Sequence, residues 1–208
     1  KSKITFVTTR HEQAAAFMAA TFGRLTGKVG VVLSTLGPGA TNLLTGVAYA
    51  QLGGFPLLVI TGQKAIKKSK QGKFQIVDIV AMMKPITKFT ATVTKGDQVP
   101  DMVGEAVRLA ETERSGAVHL ELPEDIANEI CNTSPVTPKE IIYQKANNKI
   151  IDEALKEIEK SKHPLVVLGG GVNRNSISKE LNTFFKKTGI PFVSTQMGKG
   201  AMDENSPL

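Results

Sequence analysis

Apolar and polar positions along the chain switch between two periods, and the switches mark a series of βα units. Short apolar runs over residues 4–8, 29–34, 56–61 and 117–122 predict strands. Between them, apolar residues recur at helical spacing over 11–25, 41–50, 78–83 and 101–113, while 88–93 reads as extended. Strands that are apolar on both sides and alternate with helices predict a mostly parallel sheet covered on its two faces. After Ile130 the periodicity lapses into a stretch rich in Pro, Thr and Ser, which reads as a linker. The pattern resumes with a helix over 149–160, a strand over 164–168, a tight turn at Gly169, Gly170 and Gly171, a helix over 176–188 and a strand over 190–194. The expected class is therefore α/β. One domain is expected over residues 1–130, a linker over 131–145, and the start of a second domain over 146–208.

Length agrees with that division, since 208 residues are many for one average domain and few for two. Hydrophobic residues at 41% and charged residues at 22% exclude a mainly disordered chain. The long uncharged stretch over 29–55 is broken by Gly, Thr, Asn, Gln and Pro, too polar for a membrane span. The single cysteine, Cys131, excludes an internal disulfide framework and fits a reducing, cytoplasmic compartment. The first residue, Lys1, lies inside what reads as an ongoing element, so the chain is expected to be a piece of a longer one.

Charge adds a question about partners. The net charge is +7, and five lysines fall between Lys64 and Lys73. With few aromatic residues to stack on bases, this run reads as a solvated loop rather than a nucleic-acid patch. A loop beside an anionic cofactor or substrate is the third reading, and it depends on where the run sits.

Several chemistries are absent from the sequence. His11, His119 and His163 are not spaced as a metal set, and Cys131 has no Cys or His nearby. There is no Gly-x-Ser-x-Gly elbow and no Gly-rich phosphate loop ending in Lys-Ser or Lys-Thr. Gly169–Gly171 lack the third glycine of a dinucleotide fingerprint and read as a plain turn.

Two constellations stand out. Arg10-His11-Glu12-Gln13-Ala14-Ala15 puts a carboxylate at a helix start, just after a predicted strand. Glu12 could simply favour the helix dipole. It could also hold or take a proton, with a pKa raised by an apolar pocket. Gly37-Pro38-Gly39-Ala40-Thr41-Asn42 follows the next strand, and its glycines permit a positive φ and close approach to a ligand. Both constellations fall on the edge of the sheet where α/β folds bind ligands.

Together with Ile60-Thr61-Gly62-Gln63, Phe74-Gln75, Asp78-Ile79, Pro85-Ile86-Thr87-Lys88, Leu122-Pro123-Glu124-Asp125 and Gly198-x-Gly200, these motifs resemble the thiamine-diphosphate-dependent acetolactate (acetohydroxyacid) synthases. The resemblance runs along nearly the whole chain with its spacing intact. It implies a pyrimidine-binding domain at 1–130, without its opening strand and helix, and the first part of a Rossmann-like central domain from 146. The diphosphate-binding domain, with the Mg ligands, lies outside this sequence.

By the same resemblance, Glu12 is the catalytic glutamate, hydrogen-bonding a ring nitrogen of the cofactor's aminopyrimidine and favouring the imino tautomer. Pro38 and Asn42 fall where the family contacts the thiamine moiety. Phe74 and Gln75 fall where it shapes the reaction pocket; a core Phe and a loop Gln are the alternatives. Arg114 matches an arginine that contacts FAD in members that bind it, or else ends a helix favourably. Glu124 departs from the family, many FAD-containing members having Lys there, and this leaves FAD binding open.

The resemblance implies an acetolactate synthase that uses pyruvate and a second 2-oxo acid and gives 2-acetolactate or 2-aceto-2-hydroxybutyrate, as in branched-chain amino acid biosynthesis. It implies a homodimer or homotetramer, with the site shared between subunits, and a regulatory subunit in some members. A related thiamine-diphosphate decarboxylase or carboligase, or a non-catalytic nucleotide-binding fragment, is the alternative.

Overall fold

In the computed structural model, residues 4–67, 72–136, 141, 145–174, 177–203 and 205 are described. The chain divides into two compact units, Lys1–Ile141 and Ile142–Leu208.

The first unit runs α1 (Glu12–Thr26), β1 (Gly30–Ser34), α2 (Pro38–Asn42), α3 (Leu44–Gly53), β2 (Leu57–Gln63), α4 (Ile79–Met83), β3 (Phe89–Thr92), α5 (Val99–Glu111), β4 (Ala117–Pro123) and α6 (Glu124–Ala127). Its four strands form one parallel sheet in the order β1-β2-β4-β3. The interior strands are the most buried: Leu57–Val59 of β2 are fully enclosed, and all of β4 but Leu122 is buried, its polar His119 and Glu121 included. Leu58, Val118 and Leu120 pack with Ala106 and Ala110 of α5 on one side of the sheet. Edge strand β1 behaves differently: Val32 is buried, while Val31 and Leu33 are each 56% exposed.

Two expectations for this unit are corrected. Residues 4–8 do not form a strand, and Ile4, Phe6 and Val7 are exposed. The helix expected over 41–50 is divided at Leu43: α2 begins at Pro38, whose fixed φ and missing N–H suit the first helical position, and α3 follows from Leu44.

The motif ending in Lys88 has a structural use. At the start of β3, the Lys88 ammonium donates to the carbonyls of Leu109 and Thr112 (the latter at 2.7 Å), closing the C-terminal end of α5. Burial lowers its pKa, partly opposed by Glu113. Lys88→Met keeps the stem but removes both donors from orphan carbonyls, so it is expected to cost about 1–3 kcal/mol in urea denaturation.

The second unit contains α7 (Asn148–Lys160), β5 (Val166–Leu168), α8 (Gly170–Arg174), α9 (Ser178–Thr188) and β6 (Phe192–Ser194), with β5 and β6 parallel. Leu168, Phe185 and Met202 form its core. The glycine turn expected at 169–171 is instead the entry to the short helix α8, since Gly170 and Gly171 take up helical backbone directly after β5. Residues 175 and 176, at the expected start of α9, lie outside the described residues, as do 137–140 and 142–144 of the expected linker.

Candidate functional site

The parallel strands of the first unit all end on one edge, and three loops converge there. β1 leads into Gly37, whose φ of 56° is open to glycine and costly for other residues. A side chain at this position would also meet the backbone of Gln75: a Cβ there would lie 2.7 Å from the Gln75 carbonyl oxygen. The glycine loop and the Phe74–Gln75 turn are thus in direct contact. Gln75 has a φ of 62°, the one positive value among the described non-glycine residues. Phe74 is 76% exposed, so it is not a core residue.

Glu12 is the first residue of α1, which His11 caps through its Nδ1 and the Gln13 amide. The Asn42 side-chain amide donates to Glu12 Oε2 at 3.1 Å. The other carboxylate oxygen lies over Gly39, 3.3 Å from where a Cβ would stand. A Cβ here would also lie 2.7 Å from the Ser34 hydroxyl and the Thr35 methyl, so glycine lets the loop pack closely between these residues and the carboxylate. The direction expected for the Glu12 pKa is reversed: the Asn42 hydrogen bond and Glu12's own backbone amide lower it, burial opposes them, and His11 adds a smaller lowering. In this chain the carboxylate faces solvent rather than an apolar pocket.

Glu12, Pro38, Asn42, Phe74 and Gln75 thus all lie at the C-terminal edge of the sheet. Arg114 does not join them. It precedes the first residue of β4 and donates to the Leu52 carbonyl at the end of α3, on the opposite edge. Glu124, by contrast, opens α6 directly after β4, on the same edge as Glu12. Its neighbour Asp125 accepts from the Ile66 and Lys67 amides at 3.1 and 2.8 Å. Burial pushes the Asp125 pKa up, but these amides and those of Asp125 and Ile126 together carry it below the usual value. The lysine run therefore starts at this edge. Lys67 pairs with Glu129, whose pKa falls because of Lys67 and the Gly96 amide. Residues 68–71 of the run lie outside the described residues.

Sequence reasoning missed a polar cluster inside the sheet. His119 is fully buried; its Nε2 meets the Thr61 hydroxyl at 2.9 Å and its Nδ1 the Thr90 hydroxyl at 2.7 Å. Burial pushes its pKa down to about 4. Two residues on, Glu121 is 6% exposed and accepts from Gln63 Nε2 at 3.0 Å and the Thr92 hydroxyl at 2.8 Å. Thr90 and Thr92 stand opposite His119 and Glu121 in the β3–β4 register. The available signal was polar residues at alternate positions in strands expected to be buried on both faces. A cavity of about 340 Å³ opens beside this cluster, lined in part by Gln63, Lys64, Ile76, Val77, Thr92 and Glu121. Among the described residues, no group of three His, Cys, Asp or Glu could hold a metal ion, and no helix is long and apolar enough to cross a membrane.

A parallel sheet with a helix-starting carboxylate beside a glycine cradle defines a class of protein. Residues 1–82 match the family described as thiamine pyrophosphate enzyme, N-terminal TPP binding domain, and residues 151–208 match thiamine pyrophosphate enzyme, central domain. The chain belongs to these enzymes, in the acetolactate synthase family. It is 40% identical to the acetolactate synthase of Arthrospira platensis over 96% of this chain and 35% of that protein. Against the probable acetolactate synthase large subunit of Methanococcus aeolicus it is 37% identical over all of this chain and 36% of the relative. The acetolactate synthase large subunit of Lactococcus lactis is 38% identical over 96% of this chain and 35% of its own length. The chain spans about a third of these curated relatives.

Proposed function

We propose that this chain carries the pyrimidine side of the active site of an acetolactate synthase, a cytoplasmic transferase that decarboxylates pyruvate and joins the two-carbon unit to a second 2-oxo acid. The observation that carries the reading is Glu12: a carboxylate at a helix start, oriented by Asn42, on the sheet edge where the Gly37 loop meets the Phe74–Gln75 turn. Thiamine diphosphate, when bound, supplies the electron sink for the carbon chemistry. Glu12 holds a proton at a ring nitrogen of the aminopyrimidine, and Pro38 and Asn42 set the ring's position. The exposed Phe74 and Gln75 face the substrate side. Lys64, where the lysine run begins, adds positive charge for an anionic 2-oxo acid.

In this reading the first unit is the pyrimidine-binding domain and the second the opening of the central domain. Mg is held by residues beyond this sequence, and a partner subunit in a homodimer or homotetramer closes the site. A regulatory subunit belongs to the same proposal. Arg114 is the candidate contact for FAD, which has no redox role in the condensation; the negative Glu124 opposes it.

The test is the full-length gene product with pyruvate, thiamine diphosphate and Mg, acetolactate being quantified as acetoin after acid treatment. Acetolactate is expected, and its formation is expected to stop when the cofactor or Mg is removed. Pyruvate consumed without acetolactate would favour a related decarboxylase, and no pyruvate turnover by a folded, cofactor-bound protein would overturn the substrate.

A further inference from the structure

We propose that Glu121, which none of the sequence motifs includes, is a positioning residue for the substrate-side turn at Phe74–Gln75. The inference rests on the reading of Gln75 given above and extends it to a residue outside the motifs. The route is short and each step is a hydrogen bond or a contact. Glu121 is buried, and both its oxygens accept: Oε1 from Gln63 Nε2 at 3.0 Å, and Oε2 from the Thr92 hydroxyl at 2.8 Å. The second N–H of the Gln63 amide goes to the Val77 carbonyl at 3.1 Å, and its oxygen accepts the Lys64 amide at 2.9 Å. Val77 lies two residues after Gln75, whose positive φ is held against Gly37.

A carboxylate is the informative choice at this place. An amide can turn its oxygen or its nitrogen toward a neighbour, whereas a carboxylate only accepts. Facing Glu121, Gln63 must present its NH₂, and the remaining N–H then points at Val77. Among the described residues no salt bridge reaches Glu121, so its burial is not that of an ion pair. Gln at position 121 would fill the same volume but carry one acceptor oxygen where Glu121 has two, so Thr92 and Gln63 would compete for it. With that oxygen on Thr92, its NH₂ would face the Gln63 NH₂, push that amide off the Val77 carbonyl and loosen the turn's tie to the sheet.

The experiment compares Glu121→Gln, Gln75→Ala and the double variant in the full-length enzyme, with Glu12→Gln alongside. Glu121→Gln is expected to raise KM for pyruvate by roughly tenfold, the worth of one buried hydrogen bond to a charged group, with kcat and thermal midpoint little changed. Amide hydrogen exchange over residues 72–78 is expected to quicken. In the Gln75→Ala background the Glu121 substitution is expected to add nothing to KM, since both act through one turn. Additive effects on KM, or a fall in thermal midpoint and kcat at unchanged KM and exchange, would make Glu121 a stability residue and overturn the inference. A kinetically silent Gln75→Ala beside an inactive Glu12→Gln would remove the role of Gln75, and the inference with it, while leaving the function standing. Full activity of Glu12→Gln would instead overturn the functional reading.

Discussion

Glu12→Gln is expected to abolish most turnover, by roughly 10²–10⁴-fold, while leaving the fold intact. The asymmetry follows from what the side chain does in each state. For folding, Glu12 supplies a negative charge at the start of α1 and an acceptor for Asn42. Gln retains an acceptor oxygen for Asn42 and loses only a solvent-facing helix-dipole interaction, worth below about 1 kcal/mol. For the proposed chemistry, the carboxyl must exchange a proton with a ring nitrogen, and an amide cannot do so at any ordinary pH. The measurement is acetolactate formation by the two proteins, with circular dichroism and thermal melting as the control. An active Glu12→Gln enzyme would show that the carboxylate only supports the helix. The lowered pKa of Glu12 in this chain bears on the same point. Ring and partner closing over the carboxylate would take it out of water and move its pKa upward, towards the range a proton relay needs.

Acid is expected to weaken the fold well above the pH at which carboxylates usually protonate. Unfolded, His119 would titrate near 6.5; folded, burial holds it neutral down to about 4. Between these values the unfolded chain binds the proton and the folded chain does not. Stability is therefore complete above the unfolded value and falls as pH drops towards the folded one. The full span is worth about 3 kcal/mol. Glu12, Asp125 and Glu129 have lowered pKa values and contribute in the same sense, but only at and below the ordinary carboxylate range. Urea denaturation of this chain at steps from pH 7 to 4.5 is expected to show the loss, and His119→Gln to flatten it. An unchanged slope in that variant would rule out His119 as its source.

The strands and helices that bury apolar faces were legible from period alone. β2 begins as an apolar run because both faces of Leu57–Val59 are covered, and α5 shows its helical spacing because one side packs on Leu58 and Leu120. Local chemistry also predicted the Glu12 and Gly37–Asn42 constellations, since helix starts and glycine loops are properties of a few consecutive residues. His119 and Glu121 were not legible as a cluster. Ala117 to Leu122 alternates apolar and polar residues, the pattern of a strand with one wet face, yet both polar side chains are enclosed. What encloses them is a register: Thr90 and Thr92 lie opposite on β3, and Thr61 and Gln63 come from β2. Pairing between strands distant in sequence cannot be read from either strand alone. The short run at 4–8 shows the same limit, since a strand-like pattern does not by itself fix pairing.

The edge strand β1 has a practical consequence. Among the described strands it pairs only with β2, and its Val31 and Leu33 leave apolar surface at the edge of the sheet. Such an edge is a template for any extended chain that reaches it, and it lacks the charged or proline residues that usually deter pairing. For the 208-residue chain handled alone, the first failure to expect is thus not melting but clumping, which dilution relieves and tighter core packing does not.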